Sequence, residues 1–173
     1  MSILVLYHTK YGSTKQYAEW IAQKLEASIS PVTACDAKSL DALDTVIFGA
    51  SIRMGKLQQA DFLRKHWSVL RSKKLIIFSV SAAPPPDPAV RTYYEMSLPD
   101  EIRNHATFVP LPGRVTPLDV LDTFLMLFPK TVTAVKAFFT RDPKDIAIAE
   151  GIRKQFDHVN RAAIEPILRA AKV

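Results

Sequence analysis

His8-Thr9-Lys10-Tyr11-Gly12-Ser13-Thr14 is the stretch on which the fold turns. Ahead of it, Ile3-Leu4-Val5-Leu6-Tyr7 is a short apolar run of strand character. Behind it, Tyr17, Ile21 and Leu25, with Ala18 and Ala22 beside them, repeat at helical spacing. Strand, turn and helix in this order make the first half of a βαβ unit. Thr9, Ser13 and Thr14 supply hydroxyls, Gly12 permits a tight bend, and a helix start offers unpaired N–H groups, so the segment can cradle a phosphate dianion. Ser13 or Thr14 is the expected N-cap, and a hydroxyl-rich cap without a ligand is the plain alternative.

Working outward, Asp44-Thr-Val-Ile-Phe-Gly-Ala50 and Lys74-Leu-Ile-Ile-Phe-Ser-Val-Ser81 are near-continuous apolar runs, the pattern of strands covered on both faces. Pro31-Val-Thr-Ala34 and Thr107-Phe-Val-Pro-Leu111 complete five candidate strands, the two with proline suiting sheet edges. Phe62, Trp67 and Leu70 mark a further helical stretch. Ile152, Phe156, Val159, Ala163 and Ile167 predict a long closing helix starting near Pro143. Strands alternating with helices give an α/β fold, a parallel sheet with helices on both faces. Residues 1–173 read as one domain, with an extra apolar helical segment at 117–139 before the C-terminal helix.

Composition narrows the class. A chain of 173 residues can bury roughly 70% of its extended surface and needs no staple to build a core. Its single cysteine makes no internal bridge, and no Cys/His cluster for a metal is present, which suits a reducing, cytoplasmic compartment. The N-terminal run reads as a strand and not as an export signal. Lys and Arg number 23 against 17 Asp and Glu, for a net charge of +6, which favours anionic partners. Nucleic acid is not expected, because no binding motif or basic-aromatic cluster is present. No sequence feature specifies an oligomeric state.

Other phosphate chemistries can be excluded by motif. There is no Gly-Lys-Ser/Thr triplet and no glycine spacing of the dinucleotide type. A phosphorelay receiver needs carboxylates where this chain has His8 and Thr9, and a cysteine phosphatase needs its nucleophile in the first loop, whereas Cys35 lies elsewhere. His66, His105 and His158 are isolated and read as surface or packing residues.

Thr9-Lys-Tyr-Gly-Ser-Thr14 between strand and helix resembles the phosphate loop of flavodoxin-type FMN proteins, whose strand order is 2-1-3-4-5. Gly49-Ala50-Ser51-Ile52-Arg53-Met54-Gly55 resembles the corresponding loop of the flavodoxin-type, menaquinone-dependent protoporphyrinogen IX dehydrogenases. Phe78-Ser-Val-Ser-Ala-Ala83 opens the loop that flanks the other side of the flavin in that family. The resemblance runs from residue 2 to about 90, and 117–139 falls where that branch carries an insertion.

The resemblance implies a cofactor, FMN, and roles for each loop. Thr9, Gly12, Ser13 and Thr14 would hold its phosphate, with Lys10 and Tyr11 along the edge. Ser51, Ile52, Arg53, Met54 and Gly55 would lie against the ring, and Ser81, Ala82 and Ala83 would form a third wall. Arg53 is the candidate catalytic residue: it would offset charge on reduced flavin or grip a substrate carboxylate, and an ordinary solvated arginine is its alternative. Pro84-Pro85-Pro86-Asp87-Pro88 stiffens the third loop. Neither ring loop shows a large aromatic, which leaves space for a substrate.

Two functions stand side by side. One is an oxidoreductase passing two electrons from a reduced donor, with an anionic tetrapyrrole such as protoporphyrinogen IX suggested by the resemblance, through flavin to a quinone. The other is an electron carrier that docks to a redox-protein acceptor, or a general quinone reductase with a different donor. The charge of +6 speaks against a carrier, since flavodoxin carriers are typically acidic. Residues 117–139, apolar with Lys130 and Lys136 nearby, read equally as a core helix or as a peripheral contact at the inner membrane face.

Overall fold

The computed structural model describes residues 2–115 and 156–172. The chain divides into two compact units, Met1–Gly113 with His158–Val173, and Arg114–Asp157. The first unit holds strands β1 (Ile3–His8), β2 (Ser28–Pro31), β3 (Thr45–Arg53), β4 (Lys56–Leu57), β5 (Lys74–Ser81) and β6 (Thr107–Pro112). Its helices are α1 (Ser13–Leu25), α2 (Ala37–Asp41), α3 (Ala60–Lys65), α4 (Trp67–Leu70), α5 (Pro88–Ser97), α6 (Asp100–His105) and α7 (Glu165–Lys172).

Five strands pair in parallel in the order β2-β1-β3-β5-β6. Numbered along that path, this is the 2-1-3-4-5 arrangement the resemblance implies. The difference is β4, a two-residue strand that the sequence reading did not anticipate and that hangs antiparallel on β3. The order in which strands are added to the sheet reverses between β1 and β3, while the strands stay parallel, so the loops after β1, β3 and β5 open beside one another.

The continuous apolar runs have a simple cause. Side chains alternate between faces along a strand, and here both faces are covered. Leu4, Leu6, Val46, Phe48, Leu75 and Ile77 pack with Leu40, Leu63, Leu70, Tyr94 and Ile102 of the helices on one side. Val5, Ile47, Ile76, Phe78 and Val80 pack with Tyr17, Ile21, Ile164 and Ile167 on the other.

Several expectations shift in detail. The second strand ends at Pro31, where it was expected to begin, and Val32–Ala34 forms a 3-10 turn. Pro31 and the prolines of β6 sit on the two edges of the parallel path, where a missing N–H is tolerated. The third strand runs on to Arg53, so Ser51, Ile52 and Arg53 are strand residues and not loop. The helical stretch around Phe62 and Trp67 is broken at His66, whose φ of −101° and ψ of 14° leave the helical region.

The long closing helix is also corrected. Phe156–Asp157 forms a strand, β8, paired antiparallel with β7 (Arg114–Val115), and Val159 follows it outside any helix. The helical turns begin only at Arg161, because Asn160 is extended and its side chain accepts from the Ala162 amide at 3.0 Å, a true N-cap. The expected start near Pro143 and the apolar segment 117–139 lie outside the described residues. In the second unit, Arg114 faces Asp157 across the β7–β8 pair, with Nε and Oδ2 3.4 Å apart.

Within the first unit, the point where the chain leaves and the point where it returns are bonded to each other. The His158 amide donates to Gly113 O at 3.1 Å and the Gly113 amide to Ser81 O at 2.8 Å. The buried Tyr17 hydroxyl donates to Pro112 O at 2.7 Å and accepts from the Asn160 amide at 3.0 Å. No helix among the described residues is long and apolar enough to cross a membrane.

Candidate functional site

Three strand ends set the floor of the site. His8 pairs with Ala50, and Ala50 with Ser79, so β1, β3 and β5 reach the same height side by side. Two inter-strand spacings place their loops across about 10 Å, at the point where strand order reverses.

In the first loop, the Gly12 amide donates to Thr9 Oγ1 at 2.9 Å, which closes the bend. Gly12 takes φ 87° and ψ −21°, a left-handed conformation open to glycine, and it rather than Ser13 or Thr14 occupies the cap position. The expected side-chain N-cap is therefore replaced by a glycine, and Ser13 and Thr14 become the first residues of α1, 6% and 1% exposed. The Gln16 amide bonds to Gly12 O at 3.0 Å. The amides of Ser13, Thr14 and Lys15 thus lie ahead of the first helical hydrogen bond. No acidic residue stands in that first turn, so the helix dipole presents an uncompensated positive end. Lys10 Nζ sits 5.7 Å from the centre of the Tyr11 ring. His8 Nδ1 and Tyr11 Oη are buried without a hydrogen-bond partner. Burial pushes the His8 imidazole below its usual range, which favours its neutral form.

The second wall is a hairpin. Ile52 pairs with Leu57 and Arg53 with Lys56, leaving Met54 and Gly55 as a two-residue turn with φ 50° and 72°. Positive φ at both positions is the type I′ geometry that matches strand twist. Met54 is 69% exposed at the tip, and Arg53 is partly buried behind it. The Gln58 side chain donates to Arg53 O at 3.2 Å and its amide to Ser51 O at 3.0 Å. A Cβ at Gly55 would lie 3.3 Å from the Tyr93 ring. The Leu57 amide donates to Ser97 Oγ at 2.9 Å. Neither Tyr93 nor Ser97 was singled out from the sequence.

In the third loop, Ser81 Oγ donates to Ala83 O at 2.8 Å, Ala82 is exposed, and Ala83 is partly buried. Asp87 caps α5 by accepting from the Ala89 amide at 2.9 Å, with Pro88 as first helical residue. The structure therefore brings all three sequence-derived segments to the carboxyl ends of the central strands β1, β3 and β5. Among the described residues no group of His, Cys, Asp and Glu could hold a metal ion.

Residues 4–138 match the flavodoxin domain family. The chain belongs to the flavodoxin domain family. FMN is the cofactor that goes with membership. The site of this flavodoxin domain fits that group on its own terms: an uncompensated helix start beside an open glycine bend suits a phosphate, and the two orphaned polar atoms at His8 and Tyr11 call for outside partners.

Over 88 residues the chain is 31% identical to protoporphyrinogen IX dehydrogenase [quinone] of Escherichia coli strain K12, covering 47% of this chain and 49% of that protein. The same figures hold for the protein of that name from strain O157:H7. The match thus spans about half the length of these curated relatives. A flavodoxin, WrbA-like protein from Agrobacterium tumefaciens is similar in fold, with a TM-score of 0.51 and 24% identity, over 70% of this chain and 87% of that one.

Proposed function

We propose that this flavodoxin domain is an FMN-dependent oxidoreductase that passes two electrons from a reduced donor to a quinone, and that the donor is an anionic tetrapyrrole of the protoporphyrinogen class. The observation that carries the reading is the partial match to protoporphyrinogen IX dehydrogenase [quinone] of Escherichia coli, whose name joins that donor class to a quinone. The net charge of +6 supports it over a carrier that docks to redox proteins, because an anionic donor is drawn to a basic surface.

Bound FMN supplies the two-electron chemistry. Thr9, Gly12, Ser13 and Thr14 hold the phosphate, the hydroxyls and the amides ahead of the first helical bond acting together, while Lys10 and Tyr11 border it. Thr9 Oγ1 already accepts from Gly12, so its own proton is left to donate. Ser51, Ile52, Arg53, Met54 and Gly55 orient the ring from the hairpin side, and Ser81, Ala82 and Ala83 bound it from the third loop. Small side chains at Ala82 and Ala83 leave room for a flat donor. Arg53 grips a donor carboxylate, for which its planar fork is suited.

The same proposal places the protein in the cytoplasm, with the apolar 117–139 stretch giving peripheral contact at the inner membrane face. Leu121→Glu with Phe124→Glu should then abolish binding to anionic liposomes, and unchanged binding removes that contact. For the reaction, the deciding experiment is anaerobic bleaching of the bound flavin by protoporphyrinogen beside NADH and a flavodoxin reductase as rival donors. Rapid bleaching by the tetrapyrrole supports the reading, and preference for the reductase replaces it with the carrier.

A further inference from the structure

We propose that Ser97 is a positioning residue for the flavin site and that α5 is the strut through which it acts. The proposal rests on the flavin reading above. Ser97 is the last residue of α5 and 8% exposed. Its hydroxyl donates to Tyr93 O at 2.6 Å and accepts from the Leu57 amide at 2.9 Å, so both its roles are used. Its carbonyl accepts from Arg64 Nη1 at 2.5 Å, and Arg64 in turn pairs with Asp61. One turn back along the helix, Tyr93 lays its ring against Gly55. The helix therefore touches the hairpin at both of its weak points, the turn and the short returning strand.

Those points need support. β4 is two residues long and pairs with β3 and no other described strand, and Met54 holds a left-handed conformation that non-glycine residues rarely adopt. Leu57 is 3% exposed, so removal of the serine hydroxyl orphans a buried amide that water does not readily repair. At its other end α5 starts directly from the third loop through the Asp87 cap. Ten residues of helix, roughly 15 Å, thus tie one flavin wall to the other. Ser97 does not touch the cofactor; it fixes the distance between the groups that do.

The test compares the parent with Ser97→Ala and Ser97→Thr. Three readouts are taken: FMN dissociation constant, midpoint potential of the bound flavin, and amide hydrogen exchange at Gly55–Gln58 in the FMN-free protein. Ser97→Ala should weaken FMN by about tenfold, shift the potential and speed Leu57 exchange by about tenfold or more, and Ser97→Thr should restore all three. A folded Ser97→Ala with parental affinity, potential and exchange overturns the proposal. Should Ser97→Ala fail to fold by circular dichroism, Arg64→Gln, which loosens the Ser97 carbonyl along with the exposed Asp61 pair, must produce the same changes at smaller size, and parental behaviour overturns the proposal equally. A parent that takes up no FMN would defeat the flavin reading, whereas the exchange measurement would still decide whether the strut holds the hairpin.

Discussion

Phe78 occupies the space that any side chain at Gly49 would require. The two residues are partners on β3 and β5, and a Cβ built on Gly49 would fall 2.0 Å from the Phe78 ring. The pair packs a large ring over a bare backbone in the middle of the sheet, directly below the strand ends that carry the site.

Gly49→Ala should therefore destabilise the protein by about 1–3 kcal/mol through overpacking, read as a lower denaturation midpoint in urea. Adding Phe78→Leu should recover part of that loss. Additive losses in the double variant would show that the two residues do not share the space.

Thr9→Ala deletes the acceptor for the Gly12 amide and one proposed phosphate donor. FMN affinity should fall roughly tenfold or more, while riboflavin, which lacks the phosphate, should lose much less. Equal losses for the two ligands, measured by quenching of flavin fluorescence, would move the phosphate away from this bend.

Arg53→Ala should leave FMN affinity within about threefold and lower kcat/KM for a dicarboxylate tetrapyrrole by roughly tenfold or more, in line with a lost charge-assisted pair. A neutral donor should be unaffected. If both donors slow alike, Arg53 acts on the flavin and not on the donor.

Tyr94 stacks on Phe108 at 3.8 Å with its hydroxyl buried and without a partner. Burial pushes its pKa up to about 12, partly opposed by Arg103 and Arg91. A raised value favours the neutral form in the folded state, so the associated stability is intact below about pH 10, where the unfolded phenol ionises, and is lost as pH climbs toward 12. Tyr94→Phe should remove this alkaline loss in a pH series of thermal melts, and cost little at pH 7 because the hydroxyl bonds to nothing. An unchanged alkaline slope would assign the loss to other groups.

What the sequence revealed follows from how local each signal is. Val46–Phe48 and Leu75–Phe78 are apolar on every position because both sheet faces are covered, and that pattern is visible without partners. The phosphate bend was legible because Thr9, Gly12, Ser13 and Thr14 are neighbours in the chain. The hairpin was not, since Met54-Gly55 lacks the Asn-Gly or Asp-Gly pair that usually marks such a turn, although its glycine was a signal. Ser97 was invisible for a stronger reason: its partner Leu57 lies 40 residues away, and a serine in a helix carries no mark of what it meets. The closing helix was overextended because a spacing of three or four cannot distinguish helix from turn once Asn160 resets the start.

The seam at Gly113 and His158 also bears on how this scaffold can be rebuilt. With the departing and returning strands of chain clasped to each other and, through Pro112 and Asn160, to Tyr17, the entropy of closing whatever lies between them grows only with the logarithm of its length. Modules of very different sizes, fluorescent reporters included, should therefore be accepted there at nearly equal cost to the sheet.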